Sequence, residues 1–223
     1  AEVASILPLK SVGNIQQGNA TRISWRKVCP ISTSDEVYII GNPPYLGARL
    51  QDESQKNDMK HVFDSTSVAF NNLDYIACWF YLATRYILDQ NAKFAFVTTN
   101  SINQGEQVAI LWPHLIKNNI EINFAYPSFK WTNNAKGNAG VTVSIVSLRN
   151  NSNAEKHIFK QSVSNTIHKT VVKNINAYLI DGKDIFIKSR VKAISNLPEI
   201  NFGSMANDGG NLLLSEDEKD ALL

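Results

Sequence analysis

Apolar residues fall into short runs along the chain, and their spacing changes character from one run to the next. Val37, Tyr38, Ile39 and Ile40 form a β-branched and aromatic run that reads as a strand. "KFAFVTTNSI" (93–102) is a second strand, continuous in apolar character and so expected to be buried on both faces. "IEINFAYPSF" (120–129) and "GVTVSIVSLR" (140–149) predict two more. Elsewhere the period moves to three and four. Leu73, Ile76, Ala77, Phe80, Ala83, Thr84 and Ile87 mark a helix that Asn72 can cap, with Trp79 and Tyr81 partly off the stripe. "GEQVAILWPHLIKN" (105–118) predicts another helix, in which Pro113 implies a kink or an early break. Residues 1–36 carry short apolar pieces punctuated by Gly and Asn, read as a strand and loops. The polar stretch 46–70 reads as a long loop with one or two short helices, and loops of that length are usually functional.

Strands alternating with helices predict an α/β fold with a mainly parallel sheet. The last two strands have no helix between them, so they can pair antiparallel as a hairpin at the sheet edge. Ligands of such sheets bind beyond the carboxyl ends of the strands. After residue 150 the chain turns Asn- and Lys-rich, which places a boundary there: residues 1–150 as one domain, 151–223 as a linker and the start of another. Near the end, Ser215 with Glu218 three residues on has the spacing of a capping box at a helix start.

Composition narrows the options. The 223 residues are 43% hydrophobic and 19% charged, enough for a sizeable core. A net charge of +2 and the absence of a long Lys/Arg run leave nucleic-acid binding to local patches. Cys29 and Cys78 lack paired spacing, and His61, His114, His157 and His168 lack ligand spacing. That argues against a disulfide framework or a metal site and fits a reducing cytoplasm. No apolar stretch approaches the roughly 20 residues that span a bilayer, so no membrane partner is expected.

The most informative stretch is "VYIIGNPPYLGARL" (37–50). Gly41 frees the backbone, then Pro43 and Pro44 fix φ and remove two amide donors, ending the strand. Their carbonyls remain as acceptors on a stiff segment. Asn42 adds a side-chain oxygen and Tyr45 a flat aromatic face. Two acceptors beside a stacking plate suit an amino group on a planar ring.

"GNPPY" at a strand end, a strand ending "TTNSI" and a terminal two-strand hairpin resemble the amino-group methyltransferases that use S-adenosylmethionine. The longer run "IIGNPPYLGARLQ…LDYIACWFYLATRYI…FAFVTTNSINQGEQ…FAYPSFKWTNNAKGNAGVTVSIVSLR" is similar to the adenine methyltransferases of the type IIL restriction–modification (MmeI-like) family. "FGSMANDGGNLLLSEDE" resembles the opening of that family's target-recognition domain. The resemblance implies a Rossmann-like methyltransferase sheet acting on double-stranded DNA, with the target adenine flipped into a pocket. Asn42 and the Pro43 carbonyl would accept hydrogen bonds from its exocyclic amine, within the catalytic set Asn42, Pro43, Pro44 and Tyr45, and Tyr45 would stack on the base. Trp131, or failing it Phe129, would close the other side. Arg49, Lys56, Lys60, Lys130 and Lys136 are candidates for phosphate contacts. Asn19 occupies the position where the family has an acid near the cofactor's adenine, and Asn100 and Ser101 lie at another strand end facing the same crevice.

The family's Gly-rich cofactor turn is not found before residue 37, nor is a nuclease-like Asp…Glu-x-Lys cluster. The chain is therefore expected to be the back half of a catalytic domain plus the front of a recognition domain, working with the remaining domains of a longer chain and inactive alone. Two other readings stay open. Methyltransferases of a protein glutamine amide or of an RNA base also carry Asn-Pro-Pro-Tyr, and a non-catalytic DNA-recognition module could reuse the same scaffold.

Overall fold

The computed structural model describes residues 14–117, 119–131, 141–162, 166–190 and 215–220. The chain divides into two compact units, Ala1–Lys188 and Ser189–Leu223. In the second, the described residues hold one short helix, Glu216–Asp220, which follows Ser215 as the sequence predicts.

The first unit is built on a six-stranded sheet of β1 (Val37–Gly41), β2 (Ala92–Thr99), β3 (Ile120–Trp131), β4 (Val141–Asn150), β5 (Lys156–Gln161) and β6 (Ile167–Val172), in the order β1-β2-β4-β3-β5-β6. β1 with β2 and β3 with β5 pair in parallel; β2 with β4, β3 with β4 and β5 with β6 pair antiparallel. The expected α/β class holds. The antiparallel hairpin also forms, because strands joined without a crossover helix must reverse direction. It does not end the sheet, however: β4 inserts between β2 and β3, and β5 and β6 continue beyond β3.

The sheet and its core thus run past the change of composition near residue 150. Ile175, Ala177 and Leu179 are buried with the rest of the core, and Asn103 donates from Nδ2 to the Ala177 carbonyl at 2.9 Å. Composition could not show this, since β6 lies at the sheet's margin and is largely polar and exposed.

The helices are α1 (Trp25–Val28), α2 (Glu53–Phe63), α3 (Ala77–Ile87) and α4 (Gly105–Leu115). All seven stripe positions expected for α3 are buried. Phe80 meets Phe94 and Phe96 of β2 edge-on at 5.7 and 5.5 Å, the arrangement that aromatic quadrupoles favour. β2 alternates buried and half-buried residues, so it is sealed fully on one face only. Asn72 does not cap α3. It closes a 3₁₀ turn, Phe70–Asn72, and the helix begins at Ala77. Much of the polar stretch 46–70 folds as α2, started by a capping box in which Asp52 accepts from the Gln55 amide at 2.8 Å and Gln55 answers at 3.0 Å. α4 contains Pro113 and stops at Leu115, the early break its missing amide implies. Among the described residues, no helix is long and apolar enough to cross a membrane.

Candidate active site

Strand direction gathers the candidate residues. β1, β2 and β3 run the same way and β4 runs against them, so three carboxyl ends and one amino end share an edge. Gly41 pairs with Phe96, Thr99 with Val143, and Val143 with Phe129. The corner 42–45, the 3₁₀ turn Asn100–Asn103 and the ends of the β3–β4 hairpin therefore lie along one rim. Ser144 at the start of β4 donates to Asn100 Oδ1 at 2.7 Å, closing the space between β2 and β4.

On this rim the Asn42 side chain is exposed, and no hydrogen-bond partner for it occurs among the described residues. Pro43 is buried, Pro44 exposed, and Tyr45 half-buried with its ring packed against the core. Asn42 is thus a polar group held at the end of a stiff strand with its amide oxygen available.

Two prolines cannot be anchored through their own amides, so the corner is gripped one residue later. Leu46 donates its amide to Asp74 Oδ1 at 2.9 Å; its carbonyl accepts from the Tyr75 amide at 2.9 Å and from Gln51 Nε2 at 3.0 Å. Gln51 also donates to the Leu73 carbonyl at 2.9 Å. Asp74 is 3% exposed. The same Oδ1 accepts from the Ile76 amide at 3.2 Å, and its Oδ2 accepts from Ser101 Oγ at 3.2 Å. Ser101 and Thr99 share a hydroxyl contact of 2.6 Å. The Asp74 amide donates to Gln107 Oε1 of α4 at 3.0 Å. Asp74 therefore ties the corner to the end of β2 and to α3 and α4. Sequence reasoning brought Ser101 to this crevice but missed Asp74 and Gln51. An acid set among the apolar residues Leu73, Tyr75 and Ile76 was the available signal for Asp74.

A second buried acid, Asp58 of α2, holds the segment before β1. It accepts from Asn19 Nδ2 at 2.8 Å, Arg22 Nε at 2.7 Å and the Tyr75 hydroxyl at 2.7 Å. Burial pushes its pKa up, but the hydrogen bonds from Asn19, Tyr75 and Arg22 and the Arg22 charge more than offset this, leaving it below the usual carboxylate range. Tyr75, desolvated and facing that carboxylate, is pushed up. Asn19 is largely occupied: its Oδ1 accepts from the Thr21 amide at 2.9 Å and the Thr21 hydroxyl at 2.8 Å.

The remaining candidates separate. Arg49 is exposed on a 3₁₀ turn, Ala48–Leu50. Lys56 and Lys60 are exposed on α2 and line a cleft of about 480 Å³ with Ala48, Gln51 and Phe70. Phe129 is half-buried and meets Tyr126 edge-on at 4.7 Å across a β-bulge. Trp131 and Lys130 belong to the end of β3, with their side chains outside the description, and Lys136 lies outside the described residues.

Asn42 offers an unused acceptor for an amine. Asn19, with both carbonyl lone pairs taken by Thr21 and one amide hydrogen by Asp58, keeps one N–H for an acceptor nitrogen of a purine and nothing for a purine amine. Among the described residues, no group of three or more His, Cys, Asp or Glu is placed to hold a metal ion.

Known proteins resemble the chain along most of its length. Residues 1–160 match the MmeI DNA-methyltransferase domain, and residues 181–223 match the MmeI target recognition domain. DNA methyltransferase A of Bacillus subtilis (strain 168) is 49% identical over 217 residues, covering 97% of this chain and 24% of that protein. The structure of the type IIL restriction–modification enzyme MmeI in complex with DNA superposes with a TM-score of 0.83 at 39% identity, over 97% of this chain and 29% of that one. The chain spans less than a third of the length of either relative. By the match of residues 1–160, it belongs to the MmeI DNA-methyltransferase family.

Proposed function

We propose that this chain is part of a site-specific DNA methyltransferase that transfers a methyl group from S-adenosylmethionine to the exocyclic amine of an adenine flipped out of the duplex. The observation that carries the reading is Asn42, exposed and unpaired among the described residues at the carboxyl end of β1, beside a proline carbonyl on an anchored corner. An adenine amine has its lone pair delocalised into the ring. Acceptors at Asn42 Oδ1 and the Pro43 carbonyl would draw both N–H groups out toward a tetrahedral geometry, restoring nucleophilicity as the methyl group arrives. Dipoles already in place do this without reorganisation cost. The cofactor, when bound, would supply the electrophilic methyl group, its sulfonium sulfur keeping the electron pair of the broken S–C bond while the amine lone pair makes the N–C bond and one amine proton is lost to solvent. Tyr45 would stack on the base, with Trp131 or Phe129 opposite, and Asn19 would offer its remaining N–H toward the cofactor's purine.

Double-stranded DNA is the proposed partner, its phosphates met by Arg49, Lys56, Lys60, Lys130 and Lys136, and the bacterial cytoplasm the proposed compartment. Because the sheet includes β5 and β6, the catalytic part is drawn through that hairpin, with the opening of a target-recognition domain following. The match to the type IIL enzyme supports placing the chain in a bifunctional restriction–modification protein.

The deciding experiment is nucleoside mass spectrometry on DNA from cells expressing the complete reading frame, with and without Asn42→Ala. Methylated adenine that disappears in the variant supports the enzyme, the base and the corner's role together. Unmodified DNA from well-expressed, folded protein overturns the reading in favour of a protein- or RNA-directed methyltransferase, or of a binding module if those substrates also stay unmodified.

A further inference from the structure

We infer that Asp74 is a positioning residue for methyl transfer, holding the Asn42–Tyr45 corner at its working geometry by clamping Leu46; the inference rests on the function proposed above. Three features carry it. The middle of the corner has no amide donors with which to anchor itself, because Pro43 and Pro44 have no amide hydrogens. Asp74, 28 residues from Leu46 in sequence, accepts the Leu46 amide at 2.9 Å from a site that is 3% exposed. Its other oxygen reaches Ser101, just past β2, at 3.2 Å, so one carboxylate spans the carboxyl ends of two neighbouring strands.

The bland alternative is that Asp74 merely caps α3, since it also accepts the Ile76 amide at 3.2 Å. The two roles need different reach. A cap bond two residues along the chain is within range of a serine hydroxyl, whereas the bonds to Leu46 and Ser101 require a longer side chain with two polar atoms. Asp74→Ser therefore keeps the cap and frees the corner, and Asp74→Asn keeps both, its carbonyl facing Leu46 and its amide facing the Ser101 hydroxyl.

The test uses the complete enzyme, S-adenosylmethionine and unmethylated plasmid DNA, with kcat and KM measured alongside hydrogen exchange of the backbone around Leu46. A loosened corner misplaces Asn42, and misplacement on the 1 Å scale can lower turnover by about 100-fold. Asp74→Ser is expected to lose kcat on that order while KM for DNA moves less than about threefold, the pattern of an interaction that matters in the transition state. The Leu46 amide should exchange about tenfold faster, matching one lost backbone hydrogen bond. Asp74→Asn should recover most of both. An Asp74→Ser enzyme whose kcat stays within about twofold of the parent overturns the role and leaves Asp74 a helix cap. So does a loss that Asp74→Asn does not recover. A parent enzyme that methylates no DNA sinks the proposed function and this role with it, whereas an active parent with an unaffected serine variant sinks the role alone.

Discussion

Asp58 and Asp74 are both nearly fully buried aspartates, and both reach the residues around Tyr75, yet they are satisfied in different ways. Asp58 collects three side-chain donors from two segments, including a guanidinium, and fastens the chain before β1 onto α2 and the turn that leads into α3. Asp74 collects backbone amides and a hydroxyl and fastens a corner whose two central prolines have no amides to offer. A charged hub of side chains holds elements together. A hub on backbone amides fixes where a few atoms of one turn sit. The first device suits stability and the second suits positioning, so substitutions at the two sites should separate folding from turnover.

The largest effect expected on stability comes from Asp58→Ala, which leaves the buried Tyr75 hydroxyl without its acceptor and strands Asn19 and Arg22. Leaving a buried polar group unpaired costs on the order of 1–3 kcal/mol, and Arg22 can return to water because its side chain is 50% exposed. Urea unfolding should show a loss of about 2–3 kcal/mol, with kcat of the folded enzyme changing far less than in Asp74→Ser. If Asp58→Ala instead slowed turnover at unchanged stability, the division between the two hubs would collapse. A pH series sharpens it further. The folded pKa of Asp58 lies below its unfolded value of about 3.9, so the hub's contribution is complete above that pH and is lost as pH falls through the folded value. The gap in melting temperature between the parent and Asp58→Asn should hold near neutrality and close below about pH 4; a gap that persists there would mean the carboxylate's charge is not what the hub uses. The smallest effect belongs to Arg22→Gln, since an ion pair with one half-exposed partner contributes under about 1 kcal/mol. A larger loss would shift the centre of that hub from Tyr75 and Asn19 to Arg22.

Much of this was legible in the chain. The 3.6-residue stripe predicts five of the seven buried positions of α3, missing Cys78 and Tyr86, because apolar residues at that period share the face turned to the core. The β-branched runs predict β1 to β4, and a missing crossover predicts the antiparallel hairpin. The Asn-Pro-Pro-Tyr corner was visible because proline constrains the backbone wherever it occurs. Less legible were the places where sequence-distant groups meet. Asn72 had the composition of a cap, but the chain is extended at Leu73 and enters α3 only after a turn in which Asp74 accepts the Ile76 amide. The compositional break near residue 150 was real, yet β5 pairs with β3 all the same, since backbone pairing at Phe124–His157 and Ala125–Ile158 asks little of side-chain type.

Sequence alone therefore determined most of the elements, the α/β class and the stiff Asn-Pro-Pro-Tyr corner, because each follows from local rules of periodicity, branching and ring constraint. Only the tertiary structure decided which strands neighbour one another, that one sheet face leaves Tyr38 and Ile40 56% and 83% exposed while the opposite face, bearing Phe94 and Phe96, is sealed, and that Asp74 holds the corner through Leu46. Burial and hydrogen bonding depend on what arrives from elsewhere in the chain. Two faces of one sheet differ once one of them has Phe80 packed on it, and an ordinary aspartate becomes an anchor when the Leu46 amide, 28 residues away and just past two prolines, reaches it.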